Sequence, residues 1–278
     1  MVSGMGATTG TNGVVAHGDS ARRSWGASHG TAFGSGDPVT LVVPGLGATS
    51  GESRIPASGV PGTRVVVTLP SHGDAPDAVP GYWTYPHMAA DVLAIANETG
   101  ATRAIGTSLG AGALTRIVAE QPDRFERLGL LLPAVFDRPR ATPAVWAMER
   151  LAEAVAEVER TGDRQALRDV VLAEVPEGAA VGDHIEQRVA ALLRLGPALR
   201  ALPDQVPLAG LGDAADMLAE ARLPVLVIGA TRDPLHPEQV AKATAAALPG
   251  ARLELIDSPA PMITHRRHLR ALITDFLA

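Results

Sequence analysis

The chain predicts an α/β fold, a mostly parallel sheet doubly wound by helices and interrupted by a helical cap insertion. Three observations predict it. Short apolar runs alternate along the chain with segments of helical periodicity. The runs are apolar at successive positions, as strands buried on both faces require. One long interval, 139–221, carries helical spacing and no convincing strand. Alternation of this kind makes a parallel sheet covered on both sides.

Composition bounds the possibilities. The 278 residues suffice for one large domain or one domain with an insertion. With 46% hydrophobic but only 3% aromatic residues, alanine, valine and leucine must fill the core. The net charge of -6 comes without a basic block, so neither nucleic acid nor an anionic membrane is an expected partner. Cysteine is absent, which excludes disulfides, thiolate nucleophiles and thiolate metal sites. No apolar run approaches the ~20 residues of a membrane span. No basic patch followed by an apolar stretch opens the chain, so the expected location is cytoplasmic.

Residues 1–37 are rich in Gly, Ser and Thr, and read as a flexible segment with weak strands near Val14–Val15 and Trp25–Gly26. The core is expected over 38–138 and 222–278. "VTLVV" (39–43) is its first strand, ending in "PGLG", and "RVVVTLP" (64–70) is its second, followed by "SHGDAP". A helix fits 87–98. "ATRAIGT" (101–107) is the third strand, and 109–121 reads as a helix. "RLGLLLPA" (127–134) and "LPVLVIGA" (223–230) are the fourth and fifth strands, with a helix at about 237–247 after the latter. "RLELID" (252–257) is the sixth. Leu269, Leu272, Ile273, Phe276 and Leu277 give the last helix an i, i+3, i+4, i+7, i+8 stripe. In the interval 139–221, Val145, Met148, Leu151, Val155 and Val158 keep helical spacing, as do Ile185, Val189 and Leu192. This interval is either an extra layer of the core or a lid over the carboxyl ends of the strands, and its length favours the lid.

The chemistry centres on "AIGTSLGAGA" (104–113). Gly106-Thr107-Ser108-Leu109-Gly110 is a Gly-x-Ser-x-Gly sequence with a strand before it and a helix after it. A serine on such a sharp turn holds its hydroxyl clear of the sheet, and the flanking glycines make room for the close approach. The following helix aims its first N–H groups at the same place, where they favour a developing oxyanion.

On these residues the chain, from about 38 to its end, resembles the α/β-hydrolase fold superfamily, of the capped, serine-nucleophile type. "VVPGLG" (42–47) is similar to the family's oxyanion turn, "PSHGDAP" (70–76) to its Gly-His-Gly-x-Ser turn, and "GATRDPLHP" (229–237) to the strand end that carries the acid. The resemblance implies Ser108 as nucleophile, the backbone N–H groups of Leu46 and Leu109 as the oxyanion hole, and Asp233 as the acid that orients a histidine. It also implies a base in the loop after the last strand. That loop reads "SPAPMITHRRH", with Pro259 or Pro261 at the matching position.

Proline takes no proton, and a serine hydroxyl without a base is a poor nucleophile. His265, a few residues further on, is the expected replacement. His268 lies deeper in the helix. His236, three residues after Asp233, stands close enough to touch the acid but reads more simply as part of a surface "DPLHP" turn. Tyr82, Trp83, Tyr85 and His87 cluster in an aromatic-poor chain, and with Trp146 of the insertion they are expected to wall the pocket. His17, His29 and His184 read as surface residues. No metal is expected, since no His/Asp/Glu set has ligand spacing. "GLGATSG" lacks the Gly-Lys-Ser/Thr ending of a phosphate loop, so no cofactor is expected.

Three functions fit. One is hydrolysis or acyl transfer on a small, largely apolar ester or thioester, with an unusual base. Another is a non-hydrolytic reaction of the cyclase, lyase or isomerase type in the same pocket, of the kind used in natural-product biosynthesis. The third is ligand binding without turnover.

Overall fold

The computed structural model describes residues 16–17, 20–25, 28–140, 142–175 and 183–278. Three short strands lead the sheet: β1 (Ala16–His17), β2 (Ser20–Trp25) and β3 (Ser28–Phe33). They pair antiparallel, and β3 pairs antiparallel with β5 below, for example Gly30 with Val67 and Ala32 with Val65. The described part of the N-terminal region is therefore sheet up to Phe33, and the weak strand expected near Trp25 falls in β2. Its side chains are too polar to announce strands; the backbone ladder to a neighbouring strand holds them. Residues 1–13, Val14–Val15 and Gly26 lie outside the described residues.

The six expected parallel strands follow in order. They are β4 (Val39–Val43), β5 (Thr63–Thr68), β6 (Arg103–Thr107), β7 (Arg127–Leu131), β8 (Val225–Ala230) and β9 (Ala251–Ile256). Among the described residues the sheet order is β1-β2-β3-β5-β4-β6-β7-β8-β9, with every pair from β5 to β9 parallel. The chain thus steps from β4 outward to β5 and then crosses back to β6 on the other side of β4. Open α/β sheets bind ligands at the carboxyl ends of the strands where the strand order reverses in this way, here at β4 and β6. The register pairs Val43 with Gly106, so the turns after both strands open at the same level.

Helix α1 (Ser50–Arg54) follows the turn after β4, and α2 (Tyr85–Thr99) and α3 (Leu109–Glu120) cover one face of the sheet. Leu41, Val43, Val65 and Val67 point to this face and pack with Met88, Val92, Ile95, Leu114 and Ile117. Val42, Val66, Ile105, Leu131, Leu226 and Ile228 point to the other face and meet Leu269, Ile273 and Leu277 of the last helix. Two-faced burial is why these strands read as unbroken apolar runs.

Between β7 and β8 lie α4 (Thr142–Thr161), α5 (Gln165–Ala173), α6 (His184–Arg194), α7 (Gly196–Ala201), a 3-10 turn at Leu202–Asp204 and α8 (Ala214–Glu220), with no strand among the described residues. The first four helices share a small core of their own, including Leu151, Val155, Val158, Leu167, Val171, Val189, Leu192 and Leu199. Leu202, Leu208 and Leu218 instead join the main core, so the end of the 139–221 interval already belongs to the sheet layer. The chain closes with α9 (Glu238–Ala247), α10 (Pro261–Thr264) and α11 (Arg266–Leu277). No described helix is long and apolar enough to cross a membrane.

Candidate active site

Ser108 occupies the bend between β6 and α3 with φ 52° and ψ -106°. A non-glycine residue takes this conformation only where its surroundings enforce it. Here the Ser108 N–H donates to Leu131 O at 2.8 Å, and its carbonyl accepts from Gly112 N–H at 3.1 Å. The two flanking glycines answer a packing demand. A β-carbon on Gly106 would fall 2.5 Å from the carbonyl of Gly110, and one on Gly110 would fall 2.4 Å from Val43 O. That closeness lets Gly110 N–H donate to Pro44 O at 3.1 Å, tying the start of α3 to the turn after β4.

The turn after β4, Pro44 to Ala48, lies alongside. A β-carbon on Gly45 would stand 3.5 Å from Ser108 Cβ, so the turn meets the serine at Gly45, the residue before Leu46. Leu109 opens α3, where the first N–H groups have no intrahelical acceptor. Both expected oxyanion donors therefore belong to backbone that flanks Ser108.

The imidazole at Ser108 is that of His236. Its Nε2 lies 2.9 Å from Ser108 Oγ, and its Nδ1 lies 2.7 Å from Asp233 Oδ2. With Nδ1–H donating to the carboxylate, Nε2 is left to accept from the serine hydroxyl. Asp233 also accepts from the backbone N–H groups of Leu235 (2.9 Å) and His236 (3.3 Å) through Oδ1. An Asp followed by Pro is a turn former, and it brings residues i and i+3 side by side. Acid and imidazole thus share one four-residue turn past the end of β8. The side chains of His236 and Asp233 are only 16% and 10% exposed. Burial raises the Asp233 pKa, but the hydrogen bond and charge of His236 and the two backbone N–H groups outweigh it and hold the carboxyl below its ordinary value.

His265 does not fill the place expected of it. It sits at the junction of α10 and α11, its carbonyl accepting from Leu269 N–H, and its Nδ1 lies 2.7 Å from Thr264 Oγ1. The extra turn of helix at 261–264 carries it past the loop where a base would hang over the sheet. His268 is exposed on α11. The "DPLH" turn was the legible signal for His236, and its reading as a surface turn is corrected by the hydrogen bond to Ser108.

The expected aromatic pocket wall is interior packing. Tyr82, Trp83 and Tyr85 are all buried in the main core. Tyr82 donates to Asp91 Oδ2 at 3.0 Å and meets Trp83 edge-on. Tyr85 presses on α3 so closely that a β-carbon on Gly112 would fall 2.4 Å from its ring. His87 is exposed and braces the start of α2, its Nδ1 3.0 Å from Thr84 Oγ1. Trp146 stands 61% exposed on α4. His29, expected at the surface, is buried on β3 beside Asp74, and His184 is partly exposed, 3.1 Å from Glu52. Among the described residues no cluster of three His, Asp or Glu could hold a metal ion.

Comparison with known proteins places the fold. The chain is 28% identical over 216 residues to a pimeloyl-[acyl-carrier protein] methyl ester esterase of Neisseria meningitidis serogroup A, covering 76% of this chain and 67% of that protein. Among solved structures, an enol-lactonase from Burkholderia xenovorans LB400 superposes with a TM-score of 0.65 at 21% identity, covering 90% of this chain and 97% of the other. A carboxylesterase from Bacillus subtilis superposes with a TM-score of 0.70 at 14% identity, covering 90% and 87%. These two share the fold. A family model described as the alpha/beta hydrolase family matches residues 14–270, nearly the whole chain, and the protein belongs to that family as an enzyme of the α/β-hydrolase fold.

Proposed function

We propose that the protein is a serine esterase whose acid and base both stand on the turn after β8. Ser108 Oγ attacks the carbonyl carbon of an ester or thioester while His236 Nε2 takes its proton. Asp233 keeps the ring in the tautomer that accepts at Nε2 and stabilises the imidazolium that forms. The oxyanion faces the N–H groups of Leu46 and Leu109. Collapse expels the alcohol or thiol, which takes the proton from His236. Water, deprotonated by the same nitrogen, then attacks the acyl-serine ester and releases the acid and Ser108.

The observation that carries this reading is the 2.9 Å contact between Ser108 Oγ and His236 Nε2, within the reach a general base needs. A serine without a base would favour a non-hydrolytic reaction, and this contact supports hydrolysis instead. A small, largely apolar acyl group suits the surroundings, because Leu46 packs against both the main core and the helical cluster of the insertion. The insertion over 139–201 then acts as the lid. The relatives' methyl ester, enol-lactone and carboxylic ester activities point to the same reaction class.

The test is covalent labelling by a fluorophosphonate with mass-spectrometric mapping, together with hydrolysis of p-nitrophenyl esters of graded chain length. Labelling at Ser108 and turnover of short to medium esters are expected. An unlabelled Ser108 in folded protein refutes the proposal.

A further inference from the structure

The peptide unit joining Leu46 to Gly47 is gripped at both ends by side chains from different parts of the molecule. Arg188 Nη1, from α6 of the insertion, donates to Leu46 O at 2.8 Å. At the other end, Gly47 N–H donates to His72 Nε2 at 2.9 Å, in a buried contact. His72 is itself anchored, its Nδ1 donating to Pro70 O at 3.0 Å in the turn after β5. Gly47 has φ +70°, a conformation that favours glycine, and the guanidinium occupies the space a side chain would take, since a β-carbon there would fall 2.5 Å from Arg188 Nη1.

We propose that Arg188 and His72 are positioning residues that clamp the Leu46–Gly47 peptide and thereby fix the direction of the Leu46 N–H toward Ser108. The peptide they hold is the one immediately after that N–H. With its carbonyl and its amide both fixed, Leu46 has little freedom to rotate its own N–H away. An oxyanion donor is useful only if it is already aimed, because reorienting it during the reaction would cost the stabilisation it supplies.

The two grips differ in character. His72 is fully buried, and burial, aided by the charges of Arg188 and Arg194, holds its pKa down at about 4; the ring stays neutral and Nε2 stays an acceptor. Arg188 is always charged, and it comes from the helical insertion. Its guanidinium also lies 3.9 Å from Glu174 Oε2. Through Arg188 the position of α6 is communicated to the turn beside Ser108, and a displaced lid would release the Leu46 carbonyl.

This inference rests on the esterase reading for the role of Leu46, and two measurements keep the two separable. The first is hydrogen exchange over residues 44–49 of the full chain, which needs no turnover. The second is fluorophosphonate labelling and p-nitrophenyl butyrate hydrolysis. Arg188→Gln is expected to raise exchange in 44–49 about ten-fold, while β4 and α3 exchange as in wild type. Labelling and kcat are expected to fall about ten- to a hundred-fold, less than the full loss of an oxyanion donor, with KM changed less than about three-fold. Arg188→Lys should recover much of this, since one donor suffices for the Leu46 carbonyl. His72→Gln, whose Oε1 can accept from Gly47 N–H, should outperform His72→Phe. Unchanged exchange at 44–49 in Arg188→Gln overturns the clamp. Raised exchange with wild-type labelling and kcat overturns its positioning role. If wild type does not label, the esterase reading fails, and the exchange measurement alone decides the clamp.

Discussion

Asp233 holds His236 twice, accepting from its ring nitrogen at 2.7 Å with one carboxylate oxygen and from its backbone N–H at 3.3 Å with the other. The acid therefore sets both the bend of the chain and the angle of the ring. In a more dispersed arrangement, acid and base come from separate loops and the sheet must bring them together. Here local turn geometry does that part, and the fold has only to bring one turn over Ser108.

The first prediction separates the two candidate histidines. His236→Ala and His236→Gln should each lower kcat/KM for a short ester by about a thousand- to ten-thousand-fold or more, the cost of a missing general base. His265→Ala should stay within about two-fold of wild type, because its ring is engaged with Thr264. Steady-state kinetics on the purified variants checks both. Comparable losses at the two positions would contradict the assignment of His236.

The second prediction uses the double role of Asp233. Asp233→Asn keeps an oxygen for the N–H groups of Leu235 and His236, so the turn survives. It no longer offers a carboxylate to Nδ1, and kcat should drop about ten-thousand-fold with little change in thermal midpoint. Asp233→Ala loses the turn acceptor as well. It should match the Asn variant in kcat and unfold at a lower temperature, by about 1 kcal/mol of stability, the worth of a lost local hydrogen bond. Calorimetry beside kinetics tells the two apart.

Much of this architecture is legible in the sequence. The runs 39–43 and 127–134 are Val- and Leu-rich because both faces of their strands are covered, and that composition marks them as strands. Gly106 and Gly110 bracket Ser108 because carbonyls lie where their β-carbons would be, and that need shows as a motif. His236 was harder. A "DPLH" turn looks the same on any protein surface, and whether it faces solvent or a serine depends on where β8 ends relative to β6, which no local pattern records. Tyr82, Trp83 and Tyr85 misled for a related reason: three aromatics at the start of a helix suit an interior as well as a pocket wall. Strand β3 stayed hidden because its "SHGTAF" is held by its ladder to β5 more than by its side chains.

A third prediction concerns the bend itself. Gly110→Ala would place a β-carbon 2.4 Å from Val43 O and 2.8 Å from Pro44 O. Both obstacles are backbone, so neither can swing aside. The start of α3 must move away from the turn after β4, at about 1–3 kcal/mol, the usual cost of overpacking. For a chain of this size that lowers the thermal midpoint by roughly 2–12 °C. Labelling of Ser108 should fall as well, since the same shift separates it from Leu46. A variant as stable and as reactive as wild type would show that the contact between α3 and β4 is looser than it stands here.

The last prediction is a stability profile on the acid side. His72 titrates at about 4 in the folded protein against 6.5 when free, chiefly because burial penalises its charged form. The unfolded chain therefore binds more protons than the folded one between these values, and stability rises with pH across that window. The contribution is fully present above pH 6.5 and is lost progressively as the pH falls toward 4, amounting to about 3 kcal/mol. Asp233, with its carboxyl held below the ordinary 3.8, acts in the same sense but further down, as the pH falls through and below that value. The two windows are nearly consecutive, so a substitution can remove one and leave the other. His72→Gln keeps an acceptor for Gly47 N–H and has nothing to titrate. Urea unfolding of wild type and this variant at intervals from pH 7.5 to 4 should give curves that converge on acidification, the difference between them shifting by about 3 kcal/mol in favour of the variant. Parallel curves would mean that His72 takes up its proton as readily in the fold as in water, and Nε2 would then lose the lone pair that holds Gly47 as soon as the pH falls below about 6.5.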